Sequence, residues 1–157
     1  PGSRGESVFL EQWHALPALT DGAVDRNFWD EIIKVRQAVA KELEKLRVAG
    51  SIGSGLDAEV EIYCDASWEQ KLRRLGDEWR FVFITSYARV LPGMQKSPDA
   101  VDTEIQGLAV KVTPSAHPKC IRCWQHREDV GKNVEHPLIC GRCVQNVTGA
   151  GESRSYA

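Results

Sequence analysis

Apolar side chains recur every three or four residues at Phe28, Ile32, Val35, Val39, Leu43 and Leu46, while Glu31, Lys34, Lys41, Glu44 and Lys45 occupy the other faces. This spacing predicts an amphipathic helix of about 22 residues with one apolar stripe. Asp25 or Asn27 is placed to cap its start, and Gly50 ends it. A single stripe of that length predicts a bundle helix whose partners lie outside this chain. Upstream, residues 7–20 mix aromatics with Pro17 and have no period, which predicts an irregular lead-in packed on the helix.

Beyond the turn Ser51-Ile52-Gly53-Ser54-Gly55 the period changes. Val60, Ile62 and Cys64 alternate with Glu59, Glu61 and Tyr63, the pattern of a half-buried strand. Trp68, Leu72, Leu75, Trp79, Val82 and Phe83 form a second helical stripe beginning near Ser67. A short strand over residues 87–91 follows, then a loop through Pro92-Gly93 and residues 96–103, then a strand over residues 108–112. A β–α–β–β order predicts a small α+β unit with one helix on one sheet face. The alternation points Cys64 inward, as core filler more than as a redox group.

With 157 residues, 42% hydrophobic and 27% charged, the chain suffices for one modest domain or two small ones. No apolar run approaches the ~20 residues of a membrane span, and no segment near the start reads as a signal peptide. Pro1-Gly2-Ser3 resembles a vector-derived scar, so the chain reads as a piece of something longer. An unpaired Cys64 suits a reducing compartment. Residues 1–113 carry 14 Lys/Arg against 18 Asp/Glu, and residues 114–157 carry 6 against 4. Any nucleic-acid surface is therefore a local patch.

The strongest chemical signal is Cys120-Ile121-Arg122-Cys123, sixteen residues, then Cys140-Gly141-Arg142-Cys143. Two CxxC turns supply four thiolates to one tetrahedron, the donor set of a closed structural zinc site. A pair of disulfides is the competing reading. His126 and His136 lie between the knuckles as substitute ligands, but four cysteines already complete the set; His117 reads as a solvated loop residue. The segment has few aliphatics, so the metal replaces a core. Residues 149–157 are polar and read as a loose tail.

No catalytic constellation stands out: phosphate-binding glycine loops and the nucleophile elbow are both missing. The zinc segment instead offers RNA-contact chemistry. Trp124 and Arg122 set an indole and a guanidinium on a rigid knuckle, suited to stacking on an unpaired base and reaching a phosphate or base edge. Gln125, Arg127, Lys132, Asn133 and Arg142 are supplementary candidates. Alternatively, Trp124 is the mini-core of the knuckle and Arg122 a counter-charge to the thiolates.

Cys120-Ile121-Arg122-Cys123-Trp124, Glu128-Asp129-Val130-Gly131, Leu138-Ile139-Cys140-Gly141-Arg142-Cys143-Val144 and the tail from Gly151-Glu152 resemble the C-terminus of bacterial isoleucyl-tRNA synthetases. So do Glu6-Ser7-Val8-Phe9-Leu10, Phe28-Trp29-Asp30-Glu31, Ile52-Gly53-Ser54-Gly55-Leu56-Asp57-Ala58 and Leu75-Gly76-Asp77-Glu78-Trp79-Arg80. Gly55 stands where that family more usually has serine.

The resemblance implies a three-part division. Residues 1–50 are the scar and the end of a helical anticodon-binding domain, residues 51–114 a small α+β junction, and residues 115–157 a four-cysteine zinc finger and tail. It also implies a monomeric cytoplasmic parent that joins isoleucine to tRNA(Ile) in two steps with ATP and Mg2+. The catalytic and editing domains of that parent are absent from this sequence. Arg122 and Trp124 match the family's knuckle residues at the anticodon stem-loop, and Lys34, Arg36 and Lys41 are placed to flank the same RNA. The zinc finger also resembles that of formamidopyrimidine-DNA glycosylases, so a DNA-repair enzyme is one alternative. A zinc-stabilised protein-interaction module is another.

Overall fold

Helix α1 (Arg26–Val48) starts at Asp25, whose carboxylate accepts from the Phe28 backbone N–H at 2.8 Å. The computed structural model describes residues 25–156 together with Ser7, Phe9 and Ala15; most of the lead-in expected over residues 7–20 lies outside the described residues. Past the helix end, Gly50 turns the chain with φ 72°, a conformation that suits a residue without Cβ.

Strands β1 (Ala58–Cys64), β2 (Tyr87–Pro92), β3 (Val101–Asp102) and β4 (Leu108–Pro114) form one mixed sheet in the order β2-β1-β4-β3. β1 runs parallel to β2 and antiparallel to β4. The α+β class and the three longer strands are those the sequence predicted. The two-residue β3 was not predicted, because it is too short to show alternation.

The β1–β2 crossover departs from the expected single helix. Asp65 caps α2 (Ala66–Leu72), accepting from the N–H groups of Ser67 and Trp68. A 3-10 segment (Arg73–Glu78) follows, in which Gly76 takes φ 50° and ψ −130°, and α3 (Trp79–Phe83) resumes. The apolar spacing survives the break because Leu75, Trp79 and Phe83 all still reach the core. Trp79 stacks on Phe83 at 4.9 Å and donates its indole N–H to the Leu72 carbonyl at 2.7 Å, which satisfies its one polar atom.

One apolar cluster unites the α1 stripe (Phe28, Ile32, Val35, Val39) with Val60, Ile62, Cys64, Leu72, Trp79, Ala88, Leu108 and Val110. The expectation of absent bundle partners is therefore corrected: the stripe packs on β4 and α3 of its own chain. Burying each such side chain stabilises by about 1.5–3 kcal/mol, which leaves little reason for an amphipathic helix to stay undocked. Lys71 pairs with Glu31 at the edge of this contact. Cys64 is 1% exposed in the same core, and burial pushes its thiol up to about 11, so it fills space as a neutral group.

The opposite sheet face is polar, carrying Glu59, Glu61, Arg89 and Lys111 with Tyr63 and Tyr87. No described helix is long and apolar enough to cross a membrane.

Replacing Ile32, 1% exposed, by alanine is expected to cost about 2–5 kcal/mol. Far-ultraviolet dichroism and the summed tryptophan fluorescence should still report one coincident urea transition, because helix and sheet share a core.

Candidate functional site

The chain leaves β4 and forms a knuckle in which Lys119 and His126 make an isolated antiparallel bridge. The Gln125 carbonyl accepts from Cys120 N–H at 2.9 Å, and the Cys120 carbonyl accepts from Trp124 N–H at 2.9 Å. Cys120 and Cys123 thus lie on one tight turn. The second pair lies at the start of α4 (Gly141–Thr148), with Cys140 as its N-cap and Cys143 in its first turn. Gly141 passes so close to Asp129 that a Cβ there would meet Oδ2 at 2.7 Å; its own N–H donates to that oxygen at 2.9 Å.

All four sulfur atoms lie within 4.8 Å of one another. Cys120–Cys143 and Cys123–Cys140 stand at 3.7 and 3.8 Å. Four sulfurs each ~2.3 Å from a central zinc are separated by about 3.8 Å, so the donor set fits that ion in chemistry and in size. The same distances are far beyond the ~2.05 Å of a disulfide, and all five cysteines are free. No histidine joins the cluster among the described residues.

Cationic side chains approach the sulfurs. Arg122 donates to Cys143 Sγ at 3.7 Å, and Arg142 adjoins Cys143 at the start of α4. The Cys140 thiol first, and then Arg142, hold the Cys123 thiol well below its usual value against the upward pull of burial. Cys140 is pushed up by that neighbouring thiolate.

The finger is seated on the sheet by residues the sequence did not single out. Thr85 and Ser86 are both 0% exposed, in the turn between α3 and β2. The Thr85 carbonyl accepts from Gln125 Nε2 at 3.1 Å, Ser86 Oγ accepts from the His126 N–H, and the Ser86 carbonyl accepts from Arg127 at 3.1 Å. Arg127 also lies 4.0 Å over the Tyr87 ring. Two small polar residues after an apolar run carry no signal beyond a turn, so this seat was illegible in sequence.

Asp57 is the second tie. Its carboxylate accepts from the N–H groups of Gly53 and Ser54 at 3.0 and 2.8 Å, and meets Lys119 Nζ and His126 Nε2 at 3.3 Å each. Burial raises its pKa, but the Ser54 N–H, Lys119 and the Gly53 N–H together hold it below the ordinary carboxylate range.

Several expectations are corrected by these contacts. Gln125 is 4% exposed and donates its side-chain N–H to the body at Thr85, and Arg127 is turned inward onto Tyr87. Arg142 is bound to Glu152 at 2.8 Å. His117 is no free loop residue: its carbonyl accepts from His126 Nδ1 and its ring meets Tyr87 at 5.5 Å. Asn133 accepts from the His136 N–H at 2.8 Å, leaving Lys132 exposed. On α1, Lys34 and Arg36 are exposed and Lys41 pairs with Glu104.

Trp124 stands apart. It is 62% exposed, so it is not the knuckle's mini-core, and its φ of 65° places a bulky residue in the left-handed region. Arg122, also exposed, combines its contact with Cys143 with access to solvent. Together they present an indole and a guanidinium on a turn fixed from both sides.

A family described as a zinc finger found in FPG and IleRS matches residues 118–146, the span that holds all four clustered cysteines. Over its whole length the chain is 55% identical to an isoleucine–tRNA ligase of Nitrosococcus oceani, with 100% of this chain and 17% of that protein aligned. Against the enzyme of Methylococcus capsulatus it is 54% identical, covering 99% of this chain and 17% of the relative. The counterpart from Pseudomonas aeruginosa is 47% identical over 161 residues. The chain thus spans about a sixth of the length of the curated relatives it matches, 17% of each, and its similarity is to their C-terminal region, as the motifs implied.

Two outcomes test the site. Chelating the zinc should abolish amide-exchange protection in residues 118–148 while β1 and β4 stay protected, because the finger's small cluster is separate from the main core. Asp57→Asn should cost about 1–3 kcal/mol at pH 7. A depressed carboxyl contributes fully above its unfolded pKa of about 3.9 and loses the contribution as pH falls through the lower folded value. The gap between the two proteins should therefore close in that acid window, measured by denaturant unfolding at each pH with zinc in excess.

Proposed function

We propose that this chain, similar throughout to the C-terminal region of isoleucine–tRNA ligases, is the part of such an enzyme that grips the anticodon stem-loop of tRNA(Ile). Cys120, Cys123, Cys140 and Cys143 hold one structural zinc ion that stiffens the knuckle. Trp124 stacks on an unpaired nucleotide, and Arg122 reaches an adjacent phosphate or base edge. The parent is a monomeric cytoplasmic ligase that attaches isoleucine to tRNA(Ile) in two steps with ATP and Mg2+. Its reacting groups lie outside this chain, whose role is to orient the tRNA so that the acceptor end meets a distant active site. In that parent, residues 1–50 close a helical anticodon-binding domain, residues 51–114 form the junction, and residues 115–157 form the finger.

The observation that carries this reading is the 62% exposure of Trp124 in a left-handed backbone conformation. Glycine is the usual occupant of such a conformation, and a bulky residue there costs roughly 1 kcal/mol or more. An exposed aromatic at that cost supports a ligand-facing role.

Titration of the zinc-loaded chain with an anticodon stem-loop tests it. Arg122→Ala and Trp124→Ala should each weaken binding about tenfold, in line with ~1–3 kcal/mol per stacked base. Trp124→Gly should weaken binding equally while making the finger more stable, since the strain is relieved. Affinity should fall as salt rises, with a shallow slope because few cations face outward. Unchanged affinity in both alanine variants, or preference for duplex DNA with an oxidised base, would refute the reading.

A further inference from the structure

Residues 149–157 read as a loose tail, but the structure ties the described part, residues 149–156, to the body. The Glu78 carboxylate, at the start of α3, accepts the backbone N–H groups of Ser155 and Tyr156 at 2.6 and 2.7 Å. Arg154 lies 3.8 Å over the Phe81 ring, and Arg142 of α4 lies 5.3 Å over the same ring. Between them, Glu152 accepts from Arg142 at 2.8 Å, Arg154 at 2.7 Å and Asn146 at 3.3 Å, and its own N–H returns to Asn146 Oδ1 at 2.9 Å. The side chains of Glu152 and Arg142 are only 18% and 17% exposed, so water and salt screen the pair weakly.

Arg142 links the tail to the finger. Its guanidinium is held by Glu152 at 2.8 Å, and its backbone in α4 adjoins Cys143, whose sulfur shares the cluster with Cys123, the residue before Trp124. On the far side of Trp124, Gln125 is fixed to Thr85 at 3.1 Å. A residue held at a disfavoured φ keeps it only while its neighbours are over-determined. The seat supplies one clamp, and the second comes through the tail.

We propose that Glu152 is a positioning residue for Trp124: by holding Arg142 and Arg154 against the Phe81 ring, next to the Ser155 and Tyr156 backbone bound by Glu78, the tail straps α4 and the metal-bearing knuckle to the body, fixing the indole's direction. Glu152 touches no RNA in this scheme and acts through Arg142. The RNA consequence rests on the function proposed above; the strap itself does not.

The experiment uses the zinc-loaded full chain in two altered forms, Glu152→Gln and a chain ended after Gly151. Bound zinc and stem-loop affinity are read in each, with and without Trp124→Ala, and nitrogen-15 relaxation of the Trp124 indole N–H in the forms that keep Trp124. One equivalent of zinc should remain in both. The indole order parameter should drop from rigid values toward ~0.6 or below. Affinity should fall about threefold to tenfold with Trp124 present and not at all in the Trp124→Ala background, the non-additivity of residues acting as one unit. An unchanged order parameter in both forms, loss of zinc from both, or equal affinity losses in the two backgrounds would overturn the proposal. A starting protein that binds no stem-loop would sink the functional reading alone, since the relaxation measurement still judges the strap.

Discussion

A segment of some 30 residues with almost no aliphatic core cannot hold a shape by burial alone. The buried cluster of the finger consists of Cys120, Cys140 and Cys143, with only Cys123, Val130 and Ile139 packed beside it. Everything the site does depends on what replaces that missing core. Four sulfurs at tetrahedral spacing supply a metal-centred nucleus, and a row of buried polar contacts supplies the rest by fastening the finger to a sheet that has a core of its own.

That fastening explains where the cations went. A composition count assigns Arg127 and Arg142 to an RNA surface, because isolated arginines on a polar loop are normally solvated. In the folded chain each finds a partner that needs a planar donor array. For Arg127 these are the Ser86 carbonyl and the Tyr87 face; for Arg142 they are the Glu152 carboxylate and the Phe81 ring. Guanidinium groups suit such mixed environments better than ammonium groups do. Among its cations and aromatics, what the finger leaves most open is Arg122, Lys132 and the indole of Trp124, beside exposed Ile121, Val134 and Leu138. A surface with so few open cations favours recognition of a few unpaired nucleotides over broad attraction to a duplex.

Rigidity at Trp124 comes from opposing constraints and not from local preference. The left-handed φ of 65° is unfavourable in isolation, and so is exposure of an indole. Both persist because Gln125 is buried on one side and Cys123 lies in the sulfur cluster on the other. The same logic applies at Gly55, where an added Cβ would stand 2.8 Å from the Ile84 carbonyl. The turn that carries Asp57 therefore approaches the α3–β2 connection more closely than a serine at that position would allow without a shift.

Local periodicity was enough to place α1, β1, β2 and β4, because each element's apolar spacing reflects its own backbone geometry. The two CxxC turns were equally legible, since four thiolates at that spacing have few other uses. Tertiary packing decided the rest. The apolar stripe of Phe28, Ile32, Val35 and Val39 says that a partner exists but not which one, and the sheet proved to be that partner. Thr85, Ser86, Asp57 and Glu152 look like ordinary turn and tail residues. Their importance arises from groups 40 to 69 positions away for the seat, and from α4 for Glu152. Hydrogen bonds and ion pairs between distant segments leave no period in a chain, so only the folded structure could reveal which polar residues are structural and which remain free to meet a ligand.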